Sequence, residues 1–247
     1  MSLNQGCGQQ LIGAALVCGF GGHALVSLGF SPSERLHLDL VNWVNDALGV
    51  SLNLRLIGLV ELGVVVLSVL GFCRRKIRIL GIVYLLLVSF AAAFLFSDLV
   101  GGLFGFTEIL RRSPWIVMLF FLHGDNSVGM AWLRLAVVAM FLSHGFASLA
   151  VLGFNGMHVE LASQLLNPAH AKYAVRIAGY TDLAMAVGLA IPGFSRYVAY
   201  PACLWIAFIV VLSFGMAFPD GLFRLGFLLC AVTLILEPKT HRSWFGS

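Results

Sequence analysis

Eight apolar runs divide this chain, at residues roughly 10–29, 53–72, 79–97, 113–124, 131–152, 174–192, 198–217 and 221–236. A helix needs about 20 mostly apolar residues to cross the hydrocarbon core of a bilayer. Eight such helices take about 160 residues, and a chain of 247 then has room only for short connections. The expected fold class is all-α, a polytopic membrane bundle of eight transmembrane helices. Charge closes off the soluble alternative. Only 11% of the residues are charged and the mean hydropathy is +0.97, whereas a soluble domain carries roughly 25% charged residues. The fourth run is the least regular, because Arg111, Arg112, Ser113 and Pro114 crowd its start and His123-Gly124-Asp125-Asn126 cut it short.

Basic residues orient the bundle. Cys73-Arg74-Arg75-Lys76-Ile77-Arg78 is the densest basic loop, and the tail adds Lys239 and Arg242. Short basic loops stay cytoplasmic, which places both termini inside and segments 30–52 and 153–173 outside. The first ten residues carry no charge, so the basic start of a signal peptide is missing and 11–28 reads as a retained span. The formal charge of +4 is spent on topology, and nucleic acid is not an expected partner. Cys7, Cys18, Cys73, Cys203 and Cys230 form no CxxC pair and read as small packing residues.

The two outer segments have helical character. Ser31-Pro32-Ser33-Glu34 has the form of a capping box, with Ser31 as N-cap, Pro32 at N1 and Glu34 at N3. Leu36, Leu40, Val41, Trp43, Val44 and Leu48 follow at helical spacing, with Asp39, Asn42, Asn45 and Asp46 between them. This predicts an amphipathic helix on the membrane surface or on the bundle. Residues 157–166 form a shorter candidate.

The chain also resembles itself. A shift of 121 carries Phe20-Gly21-Gly22-His23 onto Phe141-Leu142-Ser143-His144, and Arg55-x-x-Gly58-x-x-Glu61-Leu62 onto Arg176-x-x-Gly179-x-x-Asp182-Leu183. A shift of 122 carries Gly71-Phe72-Cys73-Arg74 onto Gly193-Phe194-Ser195-Arg196. A shift of 124 carries Ser89-Phe90-Ala91-Ala92-Ala93-Phe94 onto Ser213-Phe214-Gly215-Met216-Ala217-Phe218. The ordered matches predict a tandem duplication into residues 1–125 and 126–247, two parallel four-helix repeats about an axis along the membrane normal.

The matched polar residues are the candidate site. An ionisable group inside a membrane costs about 2.5–3.5 kcal/mol unless it is paired, so His23, Arg55, Glu61, His144, Arg176 and Asp182 are expected in the interior. Each carboxylate lies six residues beyond its arginine, about 9 Å deeper and on another face of the helix. It therefore needs a partner on a different helix, and the expected pairing is histidine with arginine or carboxylate. Such a cluster serves as a polar clamp, a ligand or quinone headgroup site, or a step in proton movement. A haem held by His23 and His144 is disfavoured, because the two belong to different halves near the outer surface. GxSxG, HExxH and Walker-type loops are absent from the sequence, so a self-contained enzyme is not expected.

Leu133-Arg134-Leu135-Ala136, followed by Phe141-Leu142-Ser143-His144-Gly145, resembles the first helix of the DoxX family, in which an arginine precedes a His-Gly pair by ten residues. Gly179-x-x-Asp182 stands where that family has Gly-x-x-Glu, and Arg196 matches the basic residue that ends its second helix. His23, Gly58, Glu61 and Arg74 fit the same pattern in the first half. Ser27 and Ser148 stand where the family often has lysine, and Gly13 stands opposite Arg134. The resemblance covers nearly the whole chain as two copies of a four-helix unit. It adds Arg134 to the candidate site. It also implies a protein of the bacterial inner membrane, with lipids and a redox subunit as partners and quinone as the cofactor class, as in relatives that serve thiosulfate:quinone oxidoreductase. The expected function is a membrane subunit or anchor of a quinone-linked redox system, non-catalytic by itself. The alternatives are a lipid-binding, transport or assembly factor, or a structural subunit of a larger complex.

Overall fold

The computed structural model describes residues 3–69, 74–100, 106–121, 126–151, 156–163, 165–191 and 193–236. The matched stretch 71–73 and the tail 237–247 lie outside them. The described residues form ten helices: α1 (Leu3–Ser27), α2 (Glu34–Leu48), α3 (Leu54–Val69), α4 (Arg74–Val100), α5 (Phe106–Phe121), α6 (Asn126–Ser148), α7 (Gly156–Ser163), α8 (Pro168–Ala190), α9 (Ser195–Met216) and α10 (Phe218–Ile235).

Among the described residues, each apolar run of the sequence overlaps a helix. Gln10–Ser27, Met130–Ser148, Ser195–Met216 and Phe218–Ile235 are long and apolar enough to cross a membrane, and Ile79–Leu95 is a shorter apolar stretch. Leu56, Leu59, Leu87, Phe94, Leu204, Phe208 and Val211 stand exposed around the bundle. A water-soluble monomer rarely carries so much open apolar surface, and lipid is the solvent that suits it. The chain is an all-helical protein with apolar helices suited to membrane insertion.

The long helices close a ring in the order α3, α1, α10, α9, α8, α6, α5, α4 and back to α3. The helix closing each half of the chain packs mainly on the opening helix of the other: α10 on α1, and α5 on α6. Small residues allow this closeness, as in other membrane helix pairs. A β-carbon on Gly22 of α1 would lie 2.5 Å from the Phe223 amide nitrogen of α10, so the two backbones nearly touch. Between the helices lies a core of Trp115, Met118, Val137, Phe141, Leu189 and Cys230.

The connections carry their own hydrogen bonds. Asn45 brackets the turn after α2, its Nδ2 donating to the Leu52 carbonyl at 3.0 Å and its Oδ1 accepting from the Leu52 amide at 2.6 Å. Asn53 then accepts from the Arg55 amide at 2.9 Å to start α3, and Asn167 accepts from the His170 amide at 3.0 Å to start α8.

The start of α2 departs from the capping box. The helix begins at Glu34, and Ser33 occupies the cap position without a side-chain bond to the helix. Ser31 is buried. Its hydroxyl donates to Asp220 Oδ2 and accepts from the Ser33 amide at 3.1 Å. Ser33 Oγ donates to Asp220 Oδ1 at 2.8 Å. A carboxylate from α10 thus takes both hydroxyls, and α2 starts two residues later than a Ser31 cap would have it.

Candidate functional site

Glu61 is the centre of the first-half cluster. It sits on α3, only 2% exposed, against α1 and α4. His23 Nδ1 of α1 lies 2.7 Å from Glu61 Oε1, and the Tyr84 hydroxyl of α4 donates to the same oxygen. Because the carboxylate can only accept, His23 carries its proton on Nδ1 in this arrangement. The His23 ring lies against His37 of α2 with centroids 4.1 Å apart, and His37 Nδ1 is 2.9 Å from Ser27 Oγ. Burial, then the neighbouring His23 and Arg112, push the basicity of His37 well below that of a free histidine. The surface helix α2 is therefore seated on the cluster by a neutral ring.

A small cleft opens here, lined by Phe20, His23, Glu61, Tyr84, Arg112, Trp115 and Phe223 among others. Its free space is on the order of one water molecule. Two wall atoms are buried without a hydrogen-bond partner among the described residues, the acceptor Glu61 Oε2 and the donor Trp115 Nε1. Each such group costs about 1–3 kcal/mol when left unsatisfied, so the cleft is suited to a ligand that both donates and accepts.

The same contacts recur at a shift of 121, with changed chemistry. Asp182 on α8 accepts from Trp205 Nε1 of α9 at 2.8 Å, as Glu61 accepts from Tyr84. His158 Nδ1 of α7 is 3.0 Å from Ser148 Oγ, as His37 is from Ser27. The His144 and His158 rings are nearly parallel with centroids 6.1 Å apart. No hydrogen bond joins His144 to Asp182, whose side chain is one methylene shorter than that of Glu61. Trp205 donates but cannot accept, where Tyr84 can do both.

The other sequence candidates lie apart. Arg55 and Arg176 are exposed on α3 and α8, so the buried clusters are built without them. Arg134 is buried on α6, ten residues from His144 and therefore about 15 Å away along the helix.

A further charged group lies where the sequence suggested only an awkward helix start. Glu108 of α5 is buried and binds Arg111 through Oε1 and Arg112 through Oε2, the latter at 2.7 Å. Arg111 Nη2 lies 3.3 Å from His158 Nε2. An arginine can only donate, so His158 presents its lone pair there and keeps its proton on Nδ1. On α10, Arg224 Nη1 stands 3.6 Å from Asp220 Oδ1 and donates to the Asp220 carbonyl at 3.2 Å. The signal was the shared spacing Phe106-x-Glu108-x-Leu110-x-Arg112 and Phe218-x-Asp220-x-Leu222-x-Arg224, which the drifting shift of 121–124 hides because these segments are 112 apart.

No family model, curated protein or solved structure matches this chain in comparisons with known proteins.

Proposed function

We propose that the chain is an eight-span integral membrane subunit of a quinone-linked redox system, built as two DoxX-like four-helix units, with a headgroup site in the first half. One observation carries this reading. The cleft beside Glu61 offers an unpartnered acceptor, Glu61 Oε2, and an unpartnered donor, Trp115 Nε1, between aromatic walls. A quinone headgroup, which accepts through a carbonyl and donates through a hydroxyl once reduced, matches that pair. His23, Tyr84 and Arg112 add groups that orient such a ring. In its present conformation the cleft is water-sized, so occupancy requires side chains such as Phe223 to change rotamer, a common adjustment on binding. Trp205 in place of tyrosine makes the second half the less suitable site. Electrons would come from a partner subunit, and the termini on the cytoplasmic face of a bacterial inner membrane would leave α2 and α7 outside.

The test is extraction of the native protein in mild detergent, with bound quinone quantified by mass spectrometry in wild type, Glu61→Gln and Asp182→Asn. Near-stoichiometric quinone in wild type and Asp182→Asn, with at least a tenfold loss in Glu61→Gln, is the expected result. Phospholipid alone in all three would shift the reading to a lipid-binding or assembly factor.

A further inference from the structure

Where α5 and α10 begin, Glu108 serves two guanidinium groups, Arg111 and Arg112, and Arg224 stands beside Asp220. Both carboxylates are already engaged. Each Glu108 oxygen serves one arginine of α5, and the Asp220 oxygens accept from Ser33 and Ser31 across the interface. Arg224 is consequently left 3.6 Å from Asp220 Oδ1, beyond a normal hydrogen bond. The nearest histidine does not add a counter-charge, since His158 turns a neutral nitrogen toward Arg111. Trp115 of α5 packs on Phe227 of α10 with ring centroids 4.7 Å apart, and Arg111 and Arg224 each lie about one turn before them on their helices, so the two cations share one neighbourhood. Like charges held together at low dielectric repel, and an anion between them removes that cost. The two side chains keep 21% and 30% of their surface open, enough for a ligand to reach them.

We propose that Arg111 and Arg224 together bind a phosphate-bearing anion at this end of the bundle, bridging the two halves of the chain. Guanidinium forks match phosphate oxygens in a bidentate manner. An anionic lipid and free phosphate offer the same chemistry, and the test separates them. The site is distinct from the Glu61 cleft and stands or falls independently of it.

The full-length protein is delipidated in detergent and examined by native mass spectrometry and thermal unfolding with phosphatidylglycerol, phosphatidylcholine or inorganic phosphate. Phosphatidylglycerol is expected to bind at least tenfold more tightly than zwitterionic phosphatidylcholine and to raise the unfolding temperature. Arg111→Gln/Arg224→Gln is expected to lose that preference, with Arg224→Lys intermediate. If millimolar inorganic phosphate gives the same stabilisation and displaces phosphatidylglycerol, the natural ligand is a soluble phosphate. Equal binding of the two lipids by wild type with no effect of phosphate overturns the proposal, as does a folded double variant that keeps the wild-type preference. The wild-type comparison decides the matter if the double variant does not fold.

Discussion

His23 and Glu61 meet at 2.7 Å between α1 and α3, whereas His144 and Asp182, each 121 residues further on, do not bond. Glu61 and Asp182 are thus held by different means. Glu61 has two donors on one oxygen, His23 and Tyr84. Asp182 has the indole of Trp205 as its hydrogen-bond donor among the described residues.

The first prediction follows from that difference. A hydrogen bond to a charged group is worth about 1.5–3 kcal/mol, and losing the last partner of a buried acceptor costs more than losing one of two. Trp205→Phe should therefore destabilise the protein more than Tyr84→Phe, even though the indole is replaced by a large ring. Thermal unfolding in detergent measures both. A larger loss in Tyr84→Phe would show that the tyrosine and not the histidine holds Glu61.

Helix packing yields a second prediction. Gly22→Leu places a side chain where α1 and α10 have no room, since its β-carbon alone would meet the Phe223 backbone at 2.5 Å. Backbone cannot rotate away as a side chain does, so a cost of several kcal/mol is expected, above the ~1–3 kcal/mol of ordinary overpacking. Gly13→Ala on the same helix has nothing within 4 Å of the new carbon and should be neutral or slightly stabilising by helix propensity. Equal unfolding temperatures for the two variants would refute the α1–α10 contact.

Acid supplies a third. Burial first, then Arg111 and Arg224, push His158 down to about 3 from an ordinary 6.5. Between those values the unfolded chain binds a proton that the folded protein refuses. Stability from this group is therefore complete above pH 6.5 and falls as pH drops toward 3, at up to about 1.4 kcal/mol per pH unit. His158→Gln should flatten the decline in unfolding temperature between pH 6.5 and 4.5, compared with wild type. An unchanged slope would mean that the ring is already protonated or exposed.

How much of this was legible in the chain depends on which force placed each residue. The apolar runs were legible because lipid burial demands length and hydropathy, and both are read directly from sequence. Glu61, Asp182, His23 and His144 stood out because ionisable groups are rare in apolar runs. Tyr84 and Trp205 did not, since aromatic residues are common in membrane helices and only the bond to a carboxylate sets these two apart. His37 and His158 lie 121 apart but on polar segments, where a histidine attracts no notice. The capping motif misled for a physical reason: Ser31 and Ser33 have the right spacing for a local cap, yet Asp220 of α10, distant in sequence, competes for their hydroxyls and wins. Arg55 and Arg176 looked like interior partners because they recur with the carboxylates, but each lies on an exposed face of its helix, Arg55 at the start of α3 and Arg176 further along α8.

That competition sets the last prediction. The start of α2 is tied to the other half of the chain through Asp220, and its middle rests on the cluster through the His37 ring and Val41, which is buried. The turn after it is closed locally by Asn45. If Asp220 is the outer tie, Asp220→Ala should free the helix start while leaving the far end closed. Backbone amide exchange in 31–38 should then accelerate by at least tenfold, with little change near 45–52. Asp46→Ala, on the same surface helix but outside the tie, is the control. Uniform acceleration across 31–52 would mean that α2 detaches as one unit and that the His37 contact, not Asp220, decides whether it stays. No acceleration at all would mean that Ser31 and Ser33 are held equally well without the carboxylate, and the link between the halves at this point would be lost.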